Sequence, residues 1–119
     1  MANNPNPITT HILDTARGVP AEGVPITLEI QDGASSWKLL AQDTTNSDGR
    51  VAGLLASNPS AFVAGVYRIS FDTKAYFAAA GTKAFYPYVR VVFEIEDPAQ
   101  HYHVPLLLSP FGYSTYRGS

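Results

Sequence analysis

The chain has 119 residues, 45% of them hydrophobic and 15% charged, with a formal charge of −2 at neutral pH and no cysteine. That length fits a single domain, residues 1–119, able to bury roughly two-thirds of its unfolded surface. The charge gives no electrostatic case for nucleic acid. The lack of cysteine excludes disulfides, thiolate catalysis and cysteine metal sites. No run reaches the ~20 apolar residues of a membrane helix.

Met1-Ala-Asn-Asn-Pro-Asn-Pro7 has neither a basic segment nor an apolar core. Residues 1–7 are expected to be flexible and not a secretory signal. From Ile8 the apolar pattern takes a period of two, the period of half-buried strands. Ile8, Thr10 and Ile12 alternate with Thr9, His11 and Leu13, up to a turn at Arg17-Gly18. Val24, Ile26, Leu28 and Ile30 alternate with Pro25, Thr27 and Glu29 as far as Asp32-Gly33. Trp37–Ala41 and Arg50–Leu54 are weaker strand signals, the second following the turn Ser47-Asp48-Gly49. Asn58-Pro59 marks another turn, and Tyr67, Ile69 and Phe71 another strand.

Asp72-Thr-Lys-Ala-Tyr-Phe-Ala-Ala-Ala-Gly81 breaks the alternation. It opens on an N-cap residue, is rich in alanine and stops at glycine, so it predicts one short helix. Val89, Val91, Phe93 and Ile95 then restore the strand period before Asp97-Pro98. Tyr102, Val104, Leu106 and Leu108 make a last apolar row ahead of Ser109-Pro110. About eight strands at this spacing predict an all-β, antiparallel sandwich with one short helix.

Strand parity sorts the polar residues, because successive side chains face opposite sides. The row from Tyr102 to Leu108 faces the core, so His101, His103, Pro105 and Leu107 face away from it, as does His11 on the first strand. An outward face of histidine, proline and leucine resembles a surface covered by another subunit. Imidazole is suited to proton transfer near neutrality. Neighbouring arginines, Arg50 and Arg117, would keep His11 and His103 neutral and able to accept a proton. The alternative is a pair of unrelated, half-exposed histidines. Arg50, at a strand start, can bind an oxygen or offset developing negative charge, or pair with Asp48 as an ordinary surface residue.

Tyr116-Arg117-Gly118-Ser119 supplies a ring, a guanidinium and a hydroxyl beside a carboxylate, able to hydrogen-bond an imidazole. The alternative is a polar tail. His101 and His103 with His11 could instead ligate zinc, although no carboxylate ligands accompany them. No Gly-x-Ser-x-Gly points to a serine nucleophile, and Glu94 and Glu96 read as solvated strand residues.

His103-Val-Pro-Leu-Leu-Leu-Ser-Pro, joined to the closing Tyr-Ser-Thr-Tyr-Arg-Gly-Ser119, resembles the 5-hydroxyisourate hydrolases, the enzyme branch of the transthyretin family. Ile8-Thr-Thr-His-Ile-Leu-Asp-Thr-Ala-Arg-Gly18 and Thr45-Asn-Ser-Asp-Gly-Arg50 are similar to two further motifs, and Tyr67 to Phe93 is similar to transthyretin itself. The likeness spans nearly the whole chain beyond the first seven residues. It implies a transthyretin-like fold and hydrolysis of the urate oxidation product 5-hydroxyisourate to 2-oxo-4-hydroxy-4-carboxy-5-ureidoimidazoline. Water would attack a ring lactam.

The resemblance also implies roles. His11 and His103 would transfer protons, Arg50 and Arg117 would hold the substrate, and Tyr116 and Ser119 would shape and orient the site. His101 is peripheral. No metal or organic cofactor is expected. The assembly would be a homotetramer, a dimer of dimers, with sites between subunits. Edges such as Tyr86–Glu96 or Gly112–Arg117 would pair across a two-fold axis. The expected partners include neither nucleic acid nor membrane. The expected compartment is the cytoplasm, or the peroxisome in a eukaryote, although the closing residues do not match Ser-Lys-Leu.

Two further readings stand beside this one. A transthyretin-type carrier of a small aromatic ligand would keep the fold and need no base. In the carrier, lysine, glutamate and threonine stand at the positions of His11, Arg50 and His103. A non-catalytic sandwich module would turn over nothing.

Overall fold

Two four-stranded sheets pack around one apolar cluster in the computed structural model, which describes residues 7–51, 53–56 and 58–119. The strands are β1 (Ile8–Asp14), β2 (Val19–Pro20), β3 (Pro25–Gln31), β4 (Trp37–Thr44), β5 (Gly65–Phe71), β6 (Val89–Ile95), β7 (Tyr102–Ser109) and β8 (Gly112–Thr115). Among the described residues one α-helix, α1 (Thr73–Ala79), follows β5. One sheet has the order β2-β1-β7-β8 and the other β4-β3-β5-β6. The all-β sandwich expected from the alternating pattern is the one observed, its strand pairs antiparallel except for β1 and β7, which run parallel.

Burial follows the predicted parity. Ile8, Ile12, Ile26, Leu28, Tyr67, Ile69, Leu106 and Leu108 are almost wholly removed from water. Each such side chain stabilises the fold by roughly 1.5–3 kcal/mol relative to exposure. The helix begins where Asp72 accepts a hydrogen bond from the Ala75 N–H at 3.2 Å, and Gly81 follows it with φ +69°. Its ring Tyr76 donates to the buried Asp14 carboxylate at 2.7 Å, which ties the helix to the end of β1.

Two sequence expectations are corrected. Of the expected strand Arg50–Leu54, in which residue 52 lies outside the described residues, Arg50 makes one isolated bridge, to His11, and Leu54 donates a backbone hydrogen bond to Ile8 from a turn. The eighth strand is instead the two-residue β2, which pairs with the end of β1. Pro105, expected to face outward toward another subunit, is buried within the single chain. The tail folds back over it, and Gly118 lies against both His103 and Pro105.

The expected flexibility of residues 1–7 falls, for residues 1–6, outside the described residues. Pro7 is buried, and its carbonyl accepts the Tyr102 N–H at 2.9 Å. Among the described residues, no helix is long and apolar enough to cross a membrane.

Candidate active site

The pairing of β1 with β7 decides what the outward face contains. These strands run parallel, with Thr9 opposite His103 and His11 opposite Pro105. Thr9, His11 and His103 therefore project from neighbouring positions on one face, each partly buried. The rings of His101 and His103 lie nearly parallel, with centroids 6.5 Å apart.

Arg50 reaches this face through a tight turn. The Asn46 side chain accepts the N–H groups of Asp48 at 2.9 Å and Arg50 at 3.1 Å, and the Asn46 N–H donates to the Arg50 carbonyl. Gly49 closes the turn with φ +72°, and its carbonyl accepts the Ile12 N–H at 2.8 Å. A β-carbon at Gly49 would overlap the Ile12 carbonyl oxygen and lie 3.2 Å from Pro20. Only glycine allows this backbone to lie so close to β1. Thr45, itself buried, anchors the approach by donating to the Ala21 carbonyl at 2.7 Å and accepting from Val24.

The electrostatics follow. Burial lowers the pKa of His11, and the positive charge of Arg50 lowers it further. The Asp48 carbonyl and carboxylate oppose them. Burial also lowers the pKa of His103, followed by Arg50 and then the other two imidazoles, His101 and His11. Both rings are thus held neutral near pH 7, the form that can take a proton.

The closing segment reaches His103 from another side. The Gly118 N–H donates to the His103 carbonyl at 2.8 Å. Its α-carbon lies so near the ring that a β-carbon would overlap Cδ2. Ser119 is the next residue and is exposed. Tyr116 is exposed and lines, with His103, Tyr102, Val91, Phe93 and Arg117, a cavity of about 160 Å³. Arg117 lies over the Tyr102 ring at 4.5 Å and donates to Gln100 at 3.0 Å.

The residues singled out in the sequence thus form two groups that meet at His103. His11 and Arg50 stand on one side of it, and Tyr116 and Arg117 line the cavity on the other; Arg117, expected to keep both imidazoles neutral, instead lies over Tyr102, and Arg50 is the arginine that acts on them. Among the described residues, no group of three or more histidine, aspartate or glutamate side chains is arranged to hold a metal ion, so the zinc alternative has no ligand set. Three residues that lie against the site were not singled out as site residues: Thr9, Gly49 and Gly118. Parity had already placed Thr9 on the His11 face, but its nearness to His103 depends on a strand pairing that no local signal reports.

The chain is similar to known proteins over nearly its whole length. The chain is 48% identical to the 5-hydroxyisourate hydrolase of Mus musculus, with all of both sequences covered. Among solved structures it superimposes on Klebsiella pneumoniae 5-hydroxyisourate hydrolase with a TM-score of 0.81 and 38% identity, covering 94% of this chain and 98% of that one. It superimposes on sea bream transthyretin in complex with thyroxine with a TM-score of 0.88 and 35% identity, covering 94% of each. The profile of the HIUase/Transthyretin family matches residues 8–118, and the chain belongs to that family.

Proposed function

We propose that the chain hydrolyses 5-hydroxyisourate to 2-oxo-4-hydroxy-4-carboxy-5-ureidoimidazoline, a step of urate degradation. One observation carries this reading: two imidazoles held neutral by burial share an outward face with a guanidinium that lowers both pKa values. Lactam hydrolysis needs a base for the attacking water, a cation or donor for the developing oxyanion, and a proton for the departing nitrogen. Together, His11 and His103 take the proton from water and return one to the ring nitrogen as the C–N bond breaks. Arg50 offsets the negative charge. Tyr116 and Arg117 bind the substrate from the cavity side of His103, and Ser119 orients that ring.

The similarity to the Mus musculus and Klebsiella hydrolases supports this reading over that of a carrier. Backbone likeness alone does not, because the TM-score to a thyroxine-bound transthyretin is the higher of the two. The distinction rests on His11, Arg50, His103 and the closing four residues. The deciding experiment follows freshly generated 5-hydroxyisourate in the ultraviolet, with and without the protein, and subtracts spontaneous decay. A protein-dependent acceleration is expected. Stoichiometric binding of an aromatic ligand with no acceleration would favour the carrier.

We propose, further, a homotetramer formed as a dimer of dimers. β6 and β8 are edge strands whose unpaired backbone groups can be extended across a two-fold axis. The β7–β8 turn exposes Phe111, and the adjoining loop exposes Phe85, an apolar surface suited to burial against another subunit.

A further inference from the structure

The reading above leaves Thr9 without a task, although its hydroxyl sits between two imidazoles. Oγ1 is 2.8 Å from Nδ1 of His103 and 3.0 Å from Nε2 of His101. A hydroxyl carries one hydrogen, so it cannot donate to both rings. At least one of the two facing nitrogens must therefore bear a proton. The tautomers of His101 and His103 are coupled through this oxygen.

We propose that Thr9 is a positioning residue that holds a proton on Nδ1 of His103 and leaves Nε2 bare as the base, with His101 taking the Thr9 hydroxyl hydrogen. Two features favour this direction over its reverse. The backbone of Thr9, on the neighbouring strand, also favours the protonated form of the His103 ring. The hydroxyl contact is at Nδ1, so a proton held there meets an acceptor on the side of β1. The tail also limits how the ring can turn, because Gly118 lies so near that a β-carbon there would overlap Cδ2. With Nδ1 committed to Thr9, Nε2 is the nitrogen left to face water.

Chemically, this makes His103 a base of fixed orientation. When Nε2 takes the proton of the attacking water, the ring becomes an imidazolium. Its Nδ1–H already points at Thr9, so no rotation is needed. His101 holds the Thr9 hydroxyl in its accepting orientation from the exposed side. Its contribution is smaller than that of Thr9, because Thr9 can still accept from His103 when His101 is gone. The other groups facing His103 are Arg50 and His11. Both disfavour the imidazolium, and Thr9 opposes them by accepting from it.

The proposal rests on the hydrolase reading for its kinetic part only. In protein with ¹⁵N-labelled histidine, ring nitrogen shifts distinguish N–H from bare nitrogen, and the His103 signals are assigned by their loss in His103→Asn. Wild-type His103 is expected to show Nδ1–H and bare Nε2. Thr9→Val keeps the shape and removes the hydroxyl, and should shift His103 toward the Nε2–H form that free imidazole prefers. Its kcat should fall on the order of tenfold. The acid limb of its pH–rate profile should move to lower pH, because the imidazolium has lost an acceptor. Thr9→Ser should restore both the tautomer and the rate. If Thr9→Val misfolds by circular dichroism, Thr9→Ala and Thr9→Ser provide the same comparison.

An Nε2–H tautomer in the wild type, or an unchanged tautomer and pH profile in the valine variant, would overturn the proposal. The spectrum needs no substrate. A wild-type protein with the expected tautomer and no turnover would therefore sink the hydrolase reading and spare this one.

Discussion

Gly118 is held to His103 by a backbone hydrogen bond of 2.8 Å and lies against the same residue's ring with no room for a β-carbon. Gly118→Ala is therefore expected to lift the closing residues off the imidazole while the sandwich, whose core lies elsewhere, persists. A loss of turnover of at least roughly tenfold is expected if ring orientation matters to proton transfer. Deleting Arg117-Gly118-Ser119 should act in the same direction and more severely. Circular dichroism and ultraviolet kinetics on both variants make the check, and full activity in the deletion would assign these residues to a dispensable tail.

His11→Asn and His103→Asn should each lower kcat by at least about tenfold, since general acid–base groups contribute ~10²–10⁴. His101→Asn should do much less. Steady-state kinetics on the three purified variants separate them. A larger effect at His101 than at His103 would contradict the assignment.

Burial and then Arg50 depress the pKa of both His11 and His103, so the active, neutral forms persist below pH 6.5, the ordinary imidazole value. The acid limb of kcat/KM should accordingly lie below that value. Arg50→Gln removes the cation, and both imidazolium forms become easier to reach. The limb should move to higher pH, and the plateau should fall with the loss of charge stabilisation. A limb that stays in place would mean that the guanidinium does not act on the base.

Gly49→Ala places a side chain where the backbone has φ +72° and where the Ile12 carbonyl oxygen already sits. A loss of about 1–3 kcal/mol is expected, read as a lower urea midpoint with little change in slope. Turnover should fall as well, because the same turn delivers Arg50.

Static light scattering should give about four times the chain mass of 12.8 kDa. An active species at the mass of one chain, measured at assay concentration, would remove the shared-site picture and leave the hydrolase assignment standing.

The alternation of Ile8–Leu13, Val24–Ile30, Tyr67–Phe71 and Tyr102–Leu108 was enough to predict the sandwich, because half-buried strands repeat every two residues. The Asp72 cap and Gly81 stop were enough for α1. Among the described residues of the expected strand Arg50–Leu54, only Arg50 bridges β1, because the alternation there is weak and the turn at Gly49 makes the contact instead. His11, Arg50 and His103 were legible from residue chemistry and from likeness to a family. Thr9 was not, because its role depends on a parallel pairing between strands 94 residues apart, and nothing local encodes a partner at that distance. Pro105 was misplaced for the same reason: alternation gives the side a residue faces, and not whether another part of the chain returns to cover it.

That β1–β7 pairing also has a consequence in time. During synthesis the chain emerges from its first residues onward, and β1 must wait for β7 before Thr9 meets His103. The sheet β4-β3-β5-β6 is drawn from a continuous middle stretch and can pair before β7 is made. A chain arrested before residue 103 lacks both the central neighbour of β1 and one of its two candidate proton-transfer groups. A chain arrested between residues 109 and 117 can form β1–β7 yet leaves His103 without its Gly118 cover. Under the proposed roles, interrupted translation products would be inert toward the substrate even with most of their structure in place.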